Sequence, residues 1–411
     1  MRIVSREEAS LLIPGRGEPI TDGALVIHGS KIAWVGLQSS IPPKYTTVQF
    51  RHVPVLMPGM WDCHMHYSGD SPDEGGGSYE AIFASPALAG ARVSKELERT
   101  LLAGFTTVRE TGGYAGEISP AVEEGTLVGP NVYSSVGVIS MTGGHADVHN
   151  VPIDTVLDNG RHGGPFQVCD GMTDCLKTVR LMVRRGAKLI KVCATGGVGS
   201  LLDDPEDAQF SPEELKAIVD EAARTKRIVA AHCHGKEGIL NALNAGVRTI
   251  EHGSYLDEEA IALMKEKGAI LIATRLIVVE GIKNPKGWAP INYQKLLKID
   301  EHNKKSYALA VKHGVKIALG TDWIAGEHGK ELAFAVEAGL TPLAAIEACT
   351  ATGPETLGSH FAPLSGQLKE GYDADLIAVT SNPLDDISIL GDPQNVTHVW
   401  KGGKLFKEYC S

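Results

Sequence analysis

Five stretches of this chain repeat one form: Gly104-Phe105-Thr106-Thr107-Val108, Gly186-Ala187-Lys188-Leu189-Ile190, Gly246-Val247-Arg248-Thr249-Ile250, Gly268-Ala269-Ile270-Leu271-Ile272 and Gly314-Val315-Lys316-Ile317-Ala318. Each follows a helix-like segment. The clearest helix start in the chain is Ser211-Pro212-Glu213-Glu214-Leu215, where serine suits the N-cap and proline the first turn. A glycine then stops the helix in the left-handed conformation, and a short apolar run begins. Helix, glycine and buried strand in succession describe βα units on a parallel sheet. Eight candidate strands fall near 55–66, 106–110, 131–140, 188–194, 227–233, 249–253, 269–275 and 316–322. Eight units predict a closed (β/α)8 TIM-like barrel. An open doubly wound sheet is the alternative, but chemically capable residues end many of the strands rather than gathering at one crevice.

The ends of the chain read differently. Residues 1–57 and 361–411 are short strands and turns, and together they predict a small composite β-sandwich domain around a barrel of residues 58–360. Long loops at 67–85, 142–170 and 276–299 are expected to act as lids or binding walls. The formal charge is −11 and no block of basic residues stands out, so nucleic acid and anionic membranes are poor partners. No apolar run approaches the length of a bilayer span, and residues Met1–Glu8 lack the apolar stretch of a signal peptide. Seven cysteines at 63, 169, 175, 193, 233, 349 and 410 form no Cys-x-x-Cys pair. An odd, scattered set predicts reduced thiols and a cytoplasmic protein.

Five of the strand ends carry possible metal ligands. The first gives His64 and His66, two positions apart and so on one face of an extended strand. The fourth gives Lys191, the fifth His232 and His234, the sixth His252 and the eighth Asp322. Imidazole and carboxylate suit borderline divalent cations such as zinc. Any one of these residues alone has an ordinary explanation: a satisfied histidine, an ion-paired lysine, an aspartate N-cap. All of them at successive strand ends point to a metal site. Lys191 is diagnostic, because an ammonium beside two cations would be repelled. Carboxylated by carbon dioxide, it becomes an anionic carbamate with two oxygens that can bridge two metals, and burial supplies the depressed pKa this requires.

His-x-His, Lys, His, His and Asp on a barrel resemble the amidohydrolase superfamily. Gly366-Gln367-Leu368-Lys369-Glu370-Gly371-Tyr372-Asp373-Ala374-Asp375-Leu376 resembles the return of that family's chain to its sandwich. Thr142-Gly143-Gly144-His145 and Thr195-Gly196-Gly197 are similar to the prolidase-like (Xaa-Pro dipeptidase) and ochratoxinase branch. The resemblance implies two divalent metal ions, zinc foremost. His64, His66 and Asp322 would hold the more buried ion, His232 and His252 the second, with carboxylated Lys191 between them. His234 shares the face of His232, but this branch uses the first histidine of the pair. The resemblance also implies a homo-oligomer, with an octamer as candidate form.

Two metals would ready a hydroxide for attack, Asp322 would carry its proton to the leaving nitrogen, and His145 would donate to the carbonyl oxygen. The alternative for His145 is a loop histidine after two flexible glycines. No Gly-x-Ser-x-Gly elbow is present, Gly196-Gly197-Val198-Gly199 lacks the Gly-Lys of a phosphate loop, and His145-Ala146-Asp147-Val148-His149 lacks the zincin glutamate. The predicted reaction is therefore metal-dependent hydrolysis of an amide in a small-molecule substrate, either a dipeptide or an N-acyl amino acid. The rivals are a cyclic amidohydrolase opening a lactam, hydantoin or lactone ring, and a scaffold paralogue without chemistry. Arg275, at the end of candidate strand seven, is the expected partner of a substrate carboxylate, with an ordinary salt bridge as the alternative. Trp61, Leu201 and Trp323 are candidates for an apolar wall, and the acidic loop 203–207 reads as a solvated segment.

Overall fold

The structure, a computed structural model, describes residues 4–69 and 80–409. Strands β1 (Val4–Leu12), β2 (Ile20–His28), β3 (Lys31–Leu37) and β4 (Phe50–Pro58) open the chain. The middle carries β5 (Met60–Met65), β6 (Phe105–Glu110), β7 (Asn131–Ser134), β8 (Val138–Ser140), β9 (Phe166–Val168), β10 (Ile190–Cys193), β11 (Val229–Cys233), β12 (Thr249–His252), β13 (Ile270–Ile272) and β14 (Lys316–Ile317). Strands β15 (Leu376–Val379), β16 (Val396–Lys401) and β17 (Lys404–Glu408) end it.

Both chain ends enter one seven-stranded sheet in the order β17-β16-β15-β4-β1-β2-β3, the composite sandwich domain expected from the sequence. Leu25, Ile27, Val53 and Trp400 pack into one buried cluster on this sheet, and Val53 alternates with the exposed His52 and Pro54. The chain passes from β4 into the barrel through Gly59. Its backbone lies so close to Thr106 that a Cβ there would sit 2.1 Å from the hydroxyl, which only glycine permits.

The barrel strands are parallel throughout, β5-β6-β7 in one run and β14-β13-β12-β11-β10-β8-β9 in the other. Two features join the runs into a closed barrel. Beyond β14, Leu319 accepts a hydrogen bond from the Cys63 N–H at 2.8 Å, and the Asp322 N–H donates to the His64 carbonyl at 2.8 Å. On the other side, the single strand expected at 131–140 is broken into β7 and β8 at Val136, which takes the left-handed φ of 55°. All eight candidate strands are present, and the glycines at 104, 186, 246, 268 and 314 all have positive φ. The helix at Pro212–Arg224 starts with a full capping box, in which Ser211 Oγ accepts from Glu214 N and Glu214 accepts from Ser211 N at 2.8 Å.

Two of the expected loops are more structured than the sequence suggested. Residues 142–170 contain the helix Ile153–Arg161 and strand β9. Most of 276–299 lies in the helices Arg275–Lys283 and Pro290–Lys312, whose apolar residues pack on the cavity side. Of loop 67–85, positions 70–79 lie outside the described residues. No helix among the described residues is long and apolar enough to cross a membrane.

Candidate metal centre

The C-terminal ends of β5, β10, β11, β12 and β14 converge on a cavity of about 650 Å³, walled by His64, His66, His145, Lys191, His232, His234, His252 and Asp322. The rings of His64 and His252 are 4.9 Å apart, His232 and His252 4.5 Å, and His234 and His252 4.8 Å. His145 stacks on His232 at 4.2 Å. Ligand atoms of His232, His234 and His252 lie within 4.8 Å of one another, and so do those of His64, His252 and Asp322. Every sequence-predicted metal ligand is thus brought to one place, and His234 shares that place on equal geometric terms.

Hydrogen bonds fix which nitrogen of each imidazole is free. Glu251 takes His64 Nδ1 at 2.7 Å, and the Gly112 carbonyl takes His66 Nδ1 at 2.8 Å. The Gly196 carbonyl takes His232 Nε2 at 3.1 Å. A carboxylate and two carbonyls can only accept, so each of these nitrogens carries the proton and its ring partner presents a lone pair. His252 Nδ1 lies 2.6 Å from Thr274 Oγ1, whose hydroxyl is itself donated to the Ala273 carbonyl, so His252 also donates there and leaves Nε2 bare. His234 Nδ1 is held by Ser254 Oγ at 2.8 Å. Histidine ligands with the far nitrogen tied to a carboxylate or carbonyl are the outer-shell arrangement of metal sites.

Burial pushes the His64, His232 and His252 pKa values well below their ordinary range. It takes His234 to about 3 and His145 to about 4. These imidazoles are neutral at pH 7, as metal binding requires. Burial likewise lowers Lys191, whose Nζ is 3.3 Å from His64 Nε2, and favours the uncharged amine from which a carbamate forms. Burial raises Asp322 to about 7, a shift that nearby Lys191 opposes to the extent that it is protonated. Asp322 Oδ1 stands 3.5 Å from His66 Nε2.

Backbone strain accompanies the site. His252, Thr274 and Asp322 have φ of 70°, 47° and 53°, an uncommon region for residues with side chains. The turn at His252 breaks strand alternation. Glu251 reaches the barrel interior, and the next side chain reaches the same centre instead of the opposite face.

Beneath the ligands lies a layer the sequence did not reveal. Glu251 and Arg109 are fully buried, with Arg109 Nη2 at 2.7 and 2.8 Å from the two carboxylate oxygens and Nε donating to the Cys63 carbonyl at 2.6 Å. Asp62, also buried, accepts from His64 N at 2.9 Å, Thr321 N at 3.2 Å and His328 Nδ1 at 2.8 Å. The adjacency of Asp62 to His-x-His and of Glu251 to His252 was the only available signal.

Three expected binding residues fall elsewhere. Arg275 follows the Thr274 turn and starts a helix. Its guanidinium is buried against Asp300 at 2.6 Å, off the cavity wall, so it is not placed to meet a substrate carboxylate. Leu201 is half-buried outside the cavity wall. Trp61 sits in the barrel core, stacked on Tyr133 at 5.8 Å. Trp323 does line the cavity, with Phe166, Val198, Ile277, Trp288 and Leu296. Arg92, Lys95 and Arg99 of the helix Pro86–Leu102 line another part of it.

The sequence model of the amidohydrolase family matches residues 55–406. The chain belongs to the amidohydrolase family. Members of this family generally use metal ions, in keeping with the imidazole and carboxylate donors gathered here. The chain is 50% identical to an ochratoxinase of Aspergillus niger over 97% of its own length and 86% of that protein. The crystal structure of A. niger ochratoxinase superposes with a TM-score of 0.95 at 48% identity, covering 100% of this chain and 97% of that one. A prolidase complexed with N-methylphosphonate-L-proline superposes at 0.90 with 29% identity, over 99% and 100% of the two chains. A Xaa-Pro dipeptidase with bound methionine gives 0.87 at 29%, over 98% and 100%.

Proposed function

We propose that this amidohydrolase cleaves the amide bond of an N-acyl amino acid or dipeptide, using two divalent cations, zinc foremost, and an N6-carboxylated Lys191. The observation that carries the reading is the set of neutral imidazoles, each with one nitrogen tied to the protein and the other turned to a common centre beside Lys191 and Asp322. His64, His66 and Asp322 would hold one cation, His232 and His252 the other, with the Lys191 carbamate between. Bound there, the cations would supply a hydroxide at neutral pH and polarise the scissile carbonyl.

The protein's own groups do the rest. Asp322 takes the water proton and passes it to the leaving nitrogen. His145 faces the reacting carbonyl from the loop after β8. His234 is assigned to the substrate, since the family resemblance makes the first histidine of that strand the ligand. The apolar wall of Phe166, Trp288 and Trp323 suits a bulky or aromatic acyl group. The ochratoxinase and prolidase relatives support an amide substrate.

Lys191→Ala should lose nearly all turnover and regain part of it with added short carboxylic acids. Full activity without them would remove the bridging role. A panel of N-acyl amino acids and dipeptides set against cyclic imides and lactones tests the substrate class. Turnover of the cyclic compounds alone would replace the reading with a ring-opening enzyme.

A further inference from the structure

The loop after β10 was expected to be solvated at 203–207, yet Asp203 is buried and every contact it makes is with a donor. Ser200 Oγ and Lys295 Nζ (3.3 Å) meet Oδ1, while Gly197 N (3.1 Å) and Gln209 Nε2 (3.1 Å) meet Oδ2. A carboxyl surrounded by four donors, one of them an ammonium, is ionised and accepts only. Lys295, from the helix Pro290–Lys312, also donates to the Gly197 and Ser200 carbonyls at 3.2 and 2.8 Å and so clamps the loop.

Ser200 Oγ is at the same time 2.8 Å from His145 Nδ1. Its proton is committed to Asp203, so its lone pair faces the histidine, and His145 Nδ1 must be the donor. Two further contacts set the ring. Gln209 Oε1 accepts from the His145 backbone N–H at 2.9 Å, and a Cβ on Gly197 would fall 2.2 Å from the ring, so the glycine backbone packs flush against it.

We propose that Asp203, acting through Ser200 and anchored by Lys295, is a positioning residue that holds His145 in the Nδ1–H tautomer with a bare Nε2 facing the cavity. His145 then meets the substrate as a proton acceptor in the resting enzyme. This differs from the simple donor role expected from the sequence. It is the logic of a nucleophile's base oriented by a buried carboxylate, with a hydroxyl inserted between the two. The inference rests on the hydrolytic reading above for its kinetic consequence, but not for the tautomer itself.

Two measurements test it on the 411-residue chain. Diethyl pyrocarbonate attacks a bare imidazole nitrogen, and peptide mass mapping reads the modification of His145. The parent should be modified at His145, and Asp203→Asn, which frees the Ser200 proton to turn toward Nδ1, should slow that modification several-fold. Equal rates would overturn the proposal, whether or not any substrate is turned over. With N-benzoyl-L-phenylalanine as substrate, Asp203→Asn and Ser200→Ala should each lower kcat by roughly 10- to 100-fold with little change in KM or metal content. Adding Asp203→Asn to His145→Ala should cost nothing more. Fully additive losses would make Asp203 a mere structural brace and sink the idea.

Discussion

Arg109→Met is the most informative single perturbation of the layer under the metal centre. The guanidinium is fully buried and makes two contacts of 2.7 and 2.8 Å to Glu251, one of 3.0 Å to Thr249 and one of 2.6 Å to the Cys63 carbonyl. Methionine keeps much of the apolar stem but leaves the Glu251 carboxylate buried without its cation. Removing one partner of such a pair costs about 3–5 kcal/mol. Urea unfolding of chelator-stripped protein, followed by tryptophan fluorescence, should show a loss of that size. Replacing both residues, Arg109→Met with Glu251→Leu, should recover a large part of it, because no charge is then stranded. The double variant should nonetheless bind metal worse, since His64 Nδ1 has lost its acceptor. Loss of such an orienting partner weakens metal affinity by roughly 10- to 100-fold, or about 1.4–2.7 kcal/mol. A competition titration with a chromophoric chelator reads that term separately. If the single variant is as stable as the parent, or the double is no better than the single, the account of this layer is wrong.

Glu7 gives a pH test remote from the candidate metal centre. Burial, only partly offset by Arg51, raises its carboxyl from 4.5 to about 7. The folded form keeps its proton while the unfolded form loses it. The stabilising contribution is therefore whole below pH 4.5, falls as pH rises, and is gone above 7. Melting the parent and Glu7→Gln at pH 5 and pH 8 should show the parent losing up to roughly 3 kcal/mol relative to the variant; parallel behaviour refutes it. Arg275→Met should cost about 1–3 kcal/mol of stability through the stranded Asp300, with KM for an anionic substrate unchanged; a tenfold rise in KM would return Arg275 to substrate binding. His234→Ala should keep both metals by elemental analysis and lose turnover, whereas loss of one metal would make His234 a ligand.

The barrel and the convergence of its candidate ligands were legible because each left a periodic mark. The glycines at 104, 186, 246, 268 and 314 and the two-residue spacing of His64 and His66 follow from local backbone geometry alone. Arg109 and Glu251 left no such mark, because they meet each other across 142 residues of sequence, and Asp203 left none because Lys295, the ammonium that anchors it, comes 92 residues later. Arg275 was misread for a related reason. Counting along strand β13 carries it to the cavity, but Thr274 turns the backbone left-handed and sends the side chain outward to Asp300. His252 is the converse: the strand count alone would have turned it away from the ligand set, and its own positive φ brings it in.

The grip of Asp62 on Thr321 and His328 has a consequence for biogenesis. It laces the first barrel strand to a segment more than 250 residues further along, at the height of the ligands themselves. While the chain is still emerging from the ribosome, His64 and His66 have no Asp322 beside them and no seam to hold them. The proposed cation site would be completed only when the eighth strand arrives, which would make metal capture and barrel closure one late event in synthesis.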